Sequence, residues 1–313
     1  MGKERTVKLP TTPEGWAIHL SNVLKVFQQA HGLKRFPVDV ASIAREYSKQ
    51  VFPDEPITLV QGMSMSENFE GMLLPNPNCK GEWGILYNEA IGSKGRQNYT
   101  LGHELGHYLL HRHTSPEGIR CSSRDMLDWK SDHAKLESQA NIFSSFLLMP
   151  LDDFREQTKD HKLSMELMRH LSDRYEVSIS ATILKMLSIT NKRAMIVVGK
   201  DGFIDWAWTS ERLLKSGVFY RARQQVIELP SQSMAANGPG LLDNVKGVHH
   251  PKGVWIGNEE VHEMTLFSEQ TGRTVSLLVY PNEPPNKNYD DEDDNGGLED
   301  TYQRFIRSGQ HAA

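Results

Sequence analysis

Apolar residues change their spacing several times along the chain, and each change marks a predicted element. Over residues 14–29 they recur at helical spacing, as Trp16, Leu20, Val23, Leu24 and Phe27. Thr11-Thr12-Pro13 is a start signal for that helix and Gly32 an end. Pro37-Val38-Asp39 opens a second predicted helix, through Ile43, Ala44 and Tyr47. Three short runs, 57–60, 71–74 and 83–87, read as strands, parted by turn formers such as Pro75-Asn76-Pro77-Asn78. Two more helices are expected over 96–112 and 134–149, the second stopped by Pro150. The segment between them, 113–133, is polar and reads as a loop. Residues 164–189 follow the pattern helix, short break, helix, with a helix-turn-helix cadence. After Asn191 the texture turns β-like, with Val197-Val198, 203–208, 261–267 and 275–280 as strands and joints such as Asn237-Gly238-Pro239-Gly240. The expected class is α+β, with a small antiparallel sheet beside the helices and a separate β-rich region behind a boundary near residue 190.

Composition narrows the class. Hydrophobic residues make up 38% and charged residues 24%, the balance of a soluble globular protein. No run approaches the ~18 apolar residues that span a bilayer, and the first residues show no secretory signal. Cys79 and Cys121 cannot build a disulfide framework, and no CxxC pair exists. The expected setting is cytoplasmic, with no membrane. The net charge of −5 is uneven: residues 286–300 hold seven acids against Lys287 and carry −6, so the rest of the chain sums to +1. Such a block is expected to be a disordered, solvated tail, and net charge therefore carries no information about a site.

The chemistry lies in His103-Glu104-Leu105-Gly106-His107. Positions i and i+4 share a helix face, so both imidazoles can reach one metal ion, with Glu104 close to a water on that metal. Zinc lowers the pKa of such a water to about 7, and a carboxylate can take its proton. A His-Glu-x-x-His match arises by chance only about 0.04 times in a chain of this length. Leu101, Leu105 and Leu109 supply the apolar stripe on the opposite side of the helix.

A catalytic zinc site has three protein ligands, and two routes to the third compete. His113 lies six residues beyond His107, the metzincin spacing, but Leu110 stands where that arrangement needs a helix-breaking glycine. Glu137 is the better candidate. It lies off the core stripe Leu136, Ala140, Phe143 and Leu147 of the second helix, on the side that could face the first.

The stretches Tyr99-Thr100-Leu101-Gly102-His103-Glu104-Leu105-Gly106-His107-Tyr108-Leu109-Leu110-His111-Arg112 and Glu137-Ser138-Gln139-Ala140-Asn141-Ile142-Phe143-Ser144-Ser145-Phe146-Leu147-Leu148-Met149-Pro150 resemble the two signatures of the ImmA/IrrE family of metallo-endopeptidases. Phe36-Pro37-Val38-Asp39-Val40 and the strand pair before the first motif also fit. The resemblance covers roughly residues 14–158. It departs at Gln139, where many members have Glu, and at Ser144-Ser145, where Ala is common.

The resemblance implies a zincin-like metallopeptidase domain over 14–158, after a flexible 1–13. A helix-turn-helix-like module over 159–190, a β-rich domain over 191–283 and the tail 284–313 would follow. It implies His103, His107 and Glu137 as Zn2+ ligands, Glu104 as the catalytic base, and a protein substrate, a cognate helix-turn-helix transcriptional repressor whose cleavage derepresses genes. IrrE-type members carry a GAF-like sensor where this chain turns β-rich. The alternative is a non-cleaving zinc-containing regulatory or sensor protein that binds a repressor or DNA.

Weaker candidates surround this set. His111, one turn beyond His107, could orient a ligand. His133 could polarise a scissile carbonyl. Arg112, Trp129 and Tyr99 could line the cleft. The second helix of the helix-turn-helix-like segment offers only Lys185, Ser180 and Thr182 to nucleic acid, so DNA binding is not expected. His249, His250 and His262 have no ligand spacing, and Trp206, Trp208 and Trp255 read as core or pocket aromatics.

Overall fold

The structure, a computed structural model, describes residues 8–66, 69–91, 93–122, 132–222, 224–238, 246–268 and 272–282, without the side chains of 120–122, 132 and 133. The acidic tail, Trp129 and the His133 side chain fall outside the described residues. The fold is mixed α+β in two compact units. One runs to Gln157 and takes in Ser172–Ser178; the other holds Thr158–Leu171 and continues from Ile179.

The first unit opens with α1 (Pro13–His31). Thr12 caps it by accepting from the Gly15 amide at 3.1 Å, and Gly32 ends it in the left-handed region at φ 65°. Trp16, Ala17 and Leu20 are its buried face. Asp39 caps α2 (Val40–Val51) in the same way. There follow β1 (Ile57–Met63), β2 (Phe69–Pro75) and β3 (Trp83–Asn88), then α3 (Lys94–His111) and β4 (Ile119–Ser122).

The four strands form one sheet in the order β1-β3-β2-β4. Pairing is antiparallel between β2 and its two neighbours, but β1 runs parallel to β3, so the sheet is mixed rather than antiparallel. The polar segment after α3 is also not all loop, since β4 lies within it. Buried Asn88 ties the residues just after β1 to the start of β2: its Oδ1 accepts from the Met65 amide, and its Nδ2 donates to the Met65, Ser66 and Phe69 carbonyls.

Next come α4 (Asp132–Leu148) and α5 (Leu151–Thr158). α3 and α4 approach closely because α3 carries glycine where they touch. A Cβ on Gly102 would lie 2.5 Å from Ser144 Oγ, and one on Gly106 3.1 Å from the Ala140 Cα. Ser144 Oγ donates to the Tyr99 carbonyl at 3.0 Å across the same seam.

Beyond α5, α6 (Met165–Tyr175) and α7 (Ile179–Ile189) supply the expected helix pair. The end of α6 belongs with the first unit, where Arg174 and Tyr175 both donate to Asp153 and Tyr175 stacks on Phe154. α7 is buried from Ser180 to Leu187 and packs on the first strand of the second unit.

That unit contains β5 (Ala194–Lys200), β6 (Phe203–Thr209), α8 (Glu211–Lys215), α9 (Met234–Asn237), β7 (Val248–His250), β8 (Val261–Ser268) and β9 (Arg273–Val279). Its sheet is antiparallel throughout, in the order β6-β5-β9-β8-β7. Met195, Val197, Leu213, Trp255, Leu278 and Tyr280 form its core with their neighbours.

Fully buried Glu263 lies in the same unit. Its carboxylate accepts from the Met234 and Ala235 amides, His250 Nε2, Trp255 Nε1 and Thr265 Oγ1. His250 is thus bonded to a carboxylate, and His249 stacks on His262. Among the described residues these three histidines are not gathered with other donors around one point.

The α3–α4 seam makes one clear prediction. Gly106→Val gains a few tenths of a kcal/mol in helix propensity but drives two methyls into the α4 backbone. Net destabilisation of about 1–3 kcal/mol is expected from overpacking, read as a lower urea midpoint.

Candidate metal centre

His103 and His107 lie one turn apart on α3, and Glu137 lies in the second turn of α4. All three are buried. Their nearest donor atoms form a triangle. His103 Nε2 is 2.9 Å from His107 Nε2 and 3.1 Å from Glu137 Oε2, and His107 Nε2 is 3.2 Å from Glu137 Oε1. All three donor atoms thus face one common point.

A tetrahedral zinc with bonds of about 2.0–2.2 Å holds its donors about 3.3 Å apart. The observed edges are within about 0.4 Å of that spacing, and two imidazoles with one carboxylate are a borderline-soft set suited to zinc. The residues therefore fit the ion. Among the described residues this is the one group of three or more such donors that could hold a metal.

The electrostatics of the cluster follow from burial and from the closeness of the three groups. Burial opposes charge on His103, but the Glu137 carboxylate beside it lifts its pKa to about 9. Burial takes His107 the other way, to about 4. Burial also works against the Glu137 carboxylate, yet the two imidazoles hold its pKa well below the usual range. Without a metal, then, one proton sits on His103 and balances Glu137.

The outer nitrogens of both rings are engaged. His103 Nδ1 is 3.0 Å from Asn141 Oδ1, which also accepts from the Tyr99 hydroxyl at 3.2 Å. His107 Nδ1 is 2.9 Å from His111 Nδ1, and His111 Nε2 is 2.9 Å from Gln139 Oε1. Asn141, Gln139 and Tyr99 were not assigned as partners of these rings from the sequence. The signal was nevertheless there: Asn141 lies one turn after Glu137 on the same α4 face.

Glu104 is fully buried on α3, beside β2. Its carboxylate lies against Gly71: a Cβ there would be 2.8 Å from Glu104 Oε1 and 2.6 Å from Thr100 Cγ2. A strand position with no side chain is what admits the carboxylate.

The remaining candidates fall elsewhere. His113 is 67% exposed and 3.6 Å from Glu55, so it is not brought to the cluster. Arg112 is buried over the Phe52 and Tyr108 rings, and its Nε donates to Glu55 Oε2 at 3.0 Å. Tyr99 backs the cluster through Asn141.

No curated protein matches the chain. A solved structure of a Mycobacterium tuberculosis transcriptional regulator aligns at a TM-score of 0.48 and 11% identity, covering 84% of this chain and 76% of that chain. Residues 66–187, which include α3, α4 and all three donors, match the family Peptidase_M78, described as the IrrE N-terminal-like domain. Over that stretch, which holds the three donors, the chain is thus similar to the Peptidase_M78, IrrE N-terminal-like domain.

Proposed function

We propose that the protein is a cytoplasmic zinc-dependent endopeptidase that hydrolyses a peptide bond in a protein substrate. The observation that carries the reading is the convergence of His103, His107 and Glu137 on one point, with Glu104 one residue along the same helix. His103, His107 and Glu137 hold the ion. Zinc at these donors supplies a Lewis acid that acidifies water and polarises a carbonyl. Glu104 accepts the proton of the attacking water and returns it to the leaving amine. Asn141 holds His103 through Nδ1 and keeps its Nε2 directed at the ion.

The substrate class follows from the likeness of both signatures to ImmA/IrrE peptidases: a helix-turn-helix transcriptional repressor whose cleavage releases its genes. No helix among the described residues is long and apolar enough to cross a membrane, which is compatible with this setting.

Glu104→Gln separates cleavage from mere binding. It should retain one equivalent of zinc while repressor cleavage falls by at least about 10²-fold, scored on gels of the two incubated proteins. Cleavage at the wild-type rate would instead show that Glu104 is not the general base, and absence of cleavage by the wild type itself would leave the non-cleaving reading, in which zinc serves structure or sensing. His103→Ala with His107→Ala should abolish stoichiometric zinc, measured by metal analysis.

Gly71→Val should keep the zinc but displace the Glu104 carboxylate, lowering kcat by about 10²-fold. Protons should also compete with the metal. His103 is protonated below its raised pKa of about 9, whereas His107 loses its proton near about 4. Zinc must displace the His103 proton, so between these limits affinity should fall as pH falls, by up to about tenfold per pH unit. Calorimetry in buffers of different ionisation heat should read release of about one proton per zinc at neutral pH.

A further inference from the structure

Gln139 lies outside the donor triangle, yet a continuous line of hydrogen bonds joins it to the cluster. Its Oε1 is 2.9 Å from His111 Nε2, and His111 Nδ1 is 2.9 Å from His107 Nδ1. His107 Nε2 completes the line by pointing at His103 Nε2 and Glu137 Oε1. His107 is fully buried and His111 nearly so, while Gln139 at the outer end of the line is half-buried.

Each neutral imidazole has one N–H and one lone pair, so with a His103 N–H, 2.9 Å from His107 Nε2, filling the inner end in preference to the Glu137 carboxylate 3.2 Å away, the direction of the line is set at its outer end. An amide oxygen can only accept. His111 must then carry its proton on Nε2, and its Nδ1 must accept. His107 must in turn donate from Nδ1, which leaves the lone pair of Nε2 facing the cluster. If the amide turned its NH2 group inward, every bond would reverse. His107 would then present an N–H to the ion and could not ligate it.

We propose that Gln139 is a positioning residue for the metal centre: by accepting from His111, it selects the His107 tautomer that can bind a cation. The inference rests on the zinc reading above. It also identifies what is special about a glutamine here. The side chain carries both an acceptor and a donor, and one orientation supports metal binding while the other opposes it. A carboxylate at the same place has no donor when ionised and holds the line in the binding direction only.

The test compares wild type, Gln139→Leu and Gln139→Glu. Leucine keeps the bulk and removes the acceptor; glutamate keeps the acceptor and removes the donor. Zinc affinity, measured by chelator competition, should fall about 10–100-fold in Gln139→Leu and should equal or exceed wild type in Gln139→Glu. In the metal-free proteins, 15N NMR of the histidine rings reports which nitrogen of His107 is protonated. Wild type and Gln139→Glu should show Nδ1–H, and Gln139→Leu a mixture of both tautomers. Unchanged affinity and tautomer in Gln139→Leu would overturn the proposal. So would a Gln139→Glu variant that weakens zinc as much as leucine does, since the acceptor would then be irrelevant. A wild-type protein that binds no zinc would refute the metal reading instead, and the metal-free tautomer comparison would still decide the role of Gln139. Should leucine prevent folding, wild type against Gln139→Glu still tests the direction of the line.

Discussion

The distance between α3 and α4 is the constraint on which the centre depends. Two donors come from one helix and the third from the other, and a small ion tolerates little error in their separation. Gly102 and Gly106 remove the side chains that would hold the helices apart, while Ala140 and Ser144 keep the facing surface low. The Ser144 hydroxyl then pins the seam to the Tyr99 carbonyl. Packing of small residues thus sets the geometry of a polar site, and the polar residues themselves need no strained backbone to meet.

The second constraint is burial. The cluster lies where charge is unfavourable, so every group in it must be balanced by a neighbour. Glu137 draws a proton onto His103, and His107 stays neutral in the same environment. Asn141 and the His111–Gln139 pair engage the outward ring nitrogens. The result is a site whose direction of donation is defined on each ring before any ion arrives, which is how a protein limits the reorganisation that binding would otherwise require.

Much of this was legible from spacing alone. A helix repeats every 3.6 residues, so His103 and His107 could be placed on one face and Glu137 off the core stripe of the next helix. Features that depend on partners distant in sequence were less legible. The parallel pairing of β1 with β3 skips an intervening strand, and no local pattern reports it. The four residues of β4 carry too little alternation to stand out from a polar segment. The direction of Arg112 is not set by its own stretch of sequence, because the Phe52 ring beneath it and Glu55 beside it are distant along the chain. Gly71 gives no signal as a strand residue. Its importance appears only when the carboxylate of Glu104 is seen against it.

The Glu263 carboxylate of the second unit has an uneven consequence for mutation. Donors from separate stretches of chain, at Met234, Ala235, His250 and Trp255, all end on it. Losing one donor leaves a carboxylate with several partners still in place. Losing the carboxylate strands every donor together in an interior without water, and each buried orphan costs about 1–3 kcal/mol. The spokes of this wheel are individually replaceable and its hub is not, so the acid on β8 should resist substitution far more strongly than any of the residues that point at it.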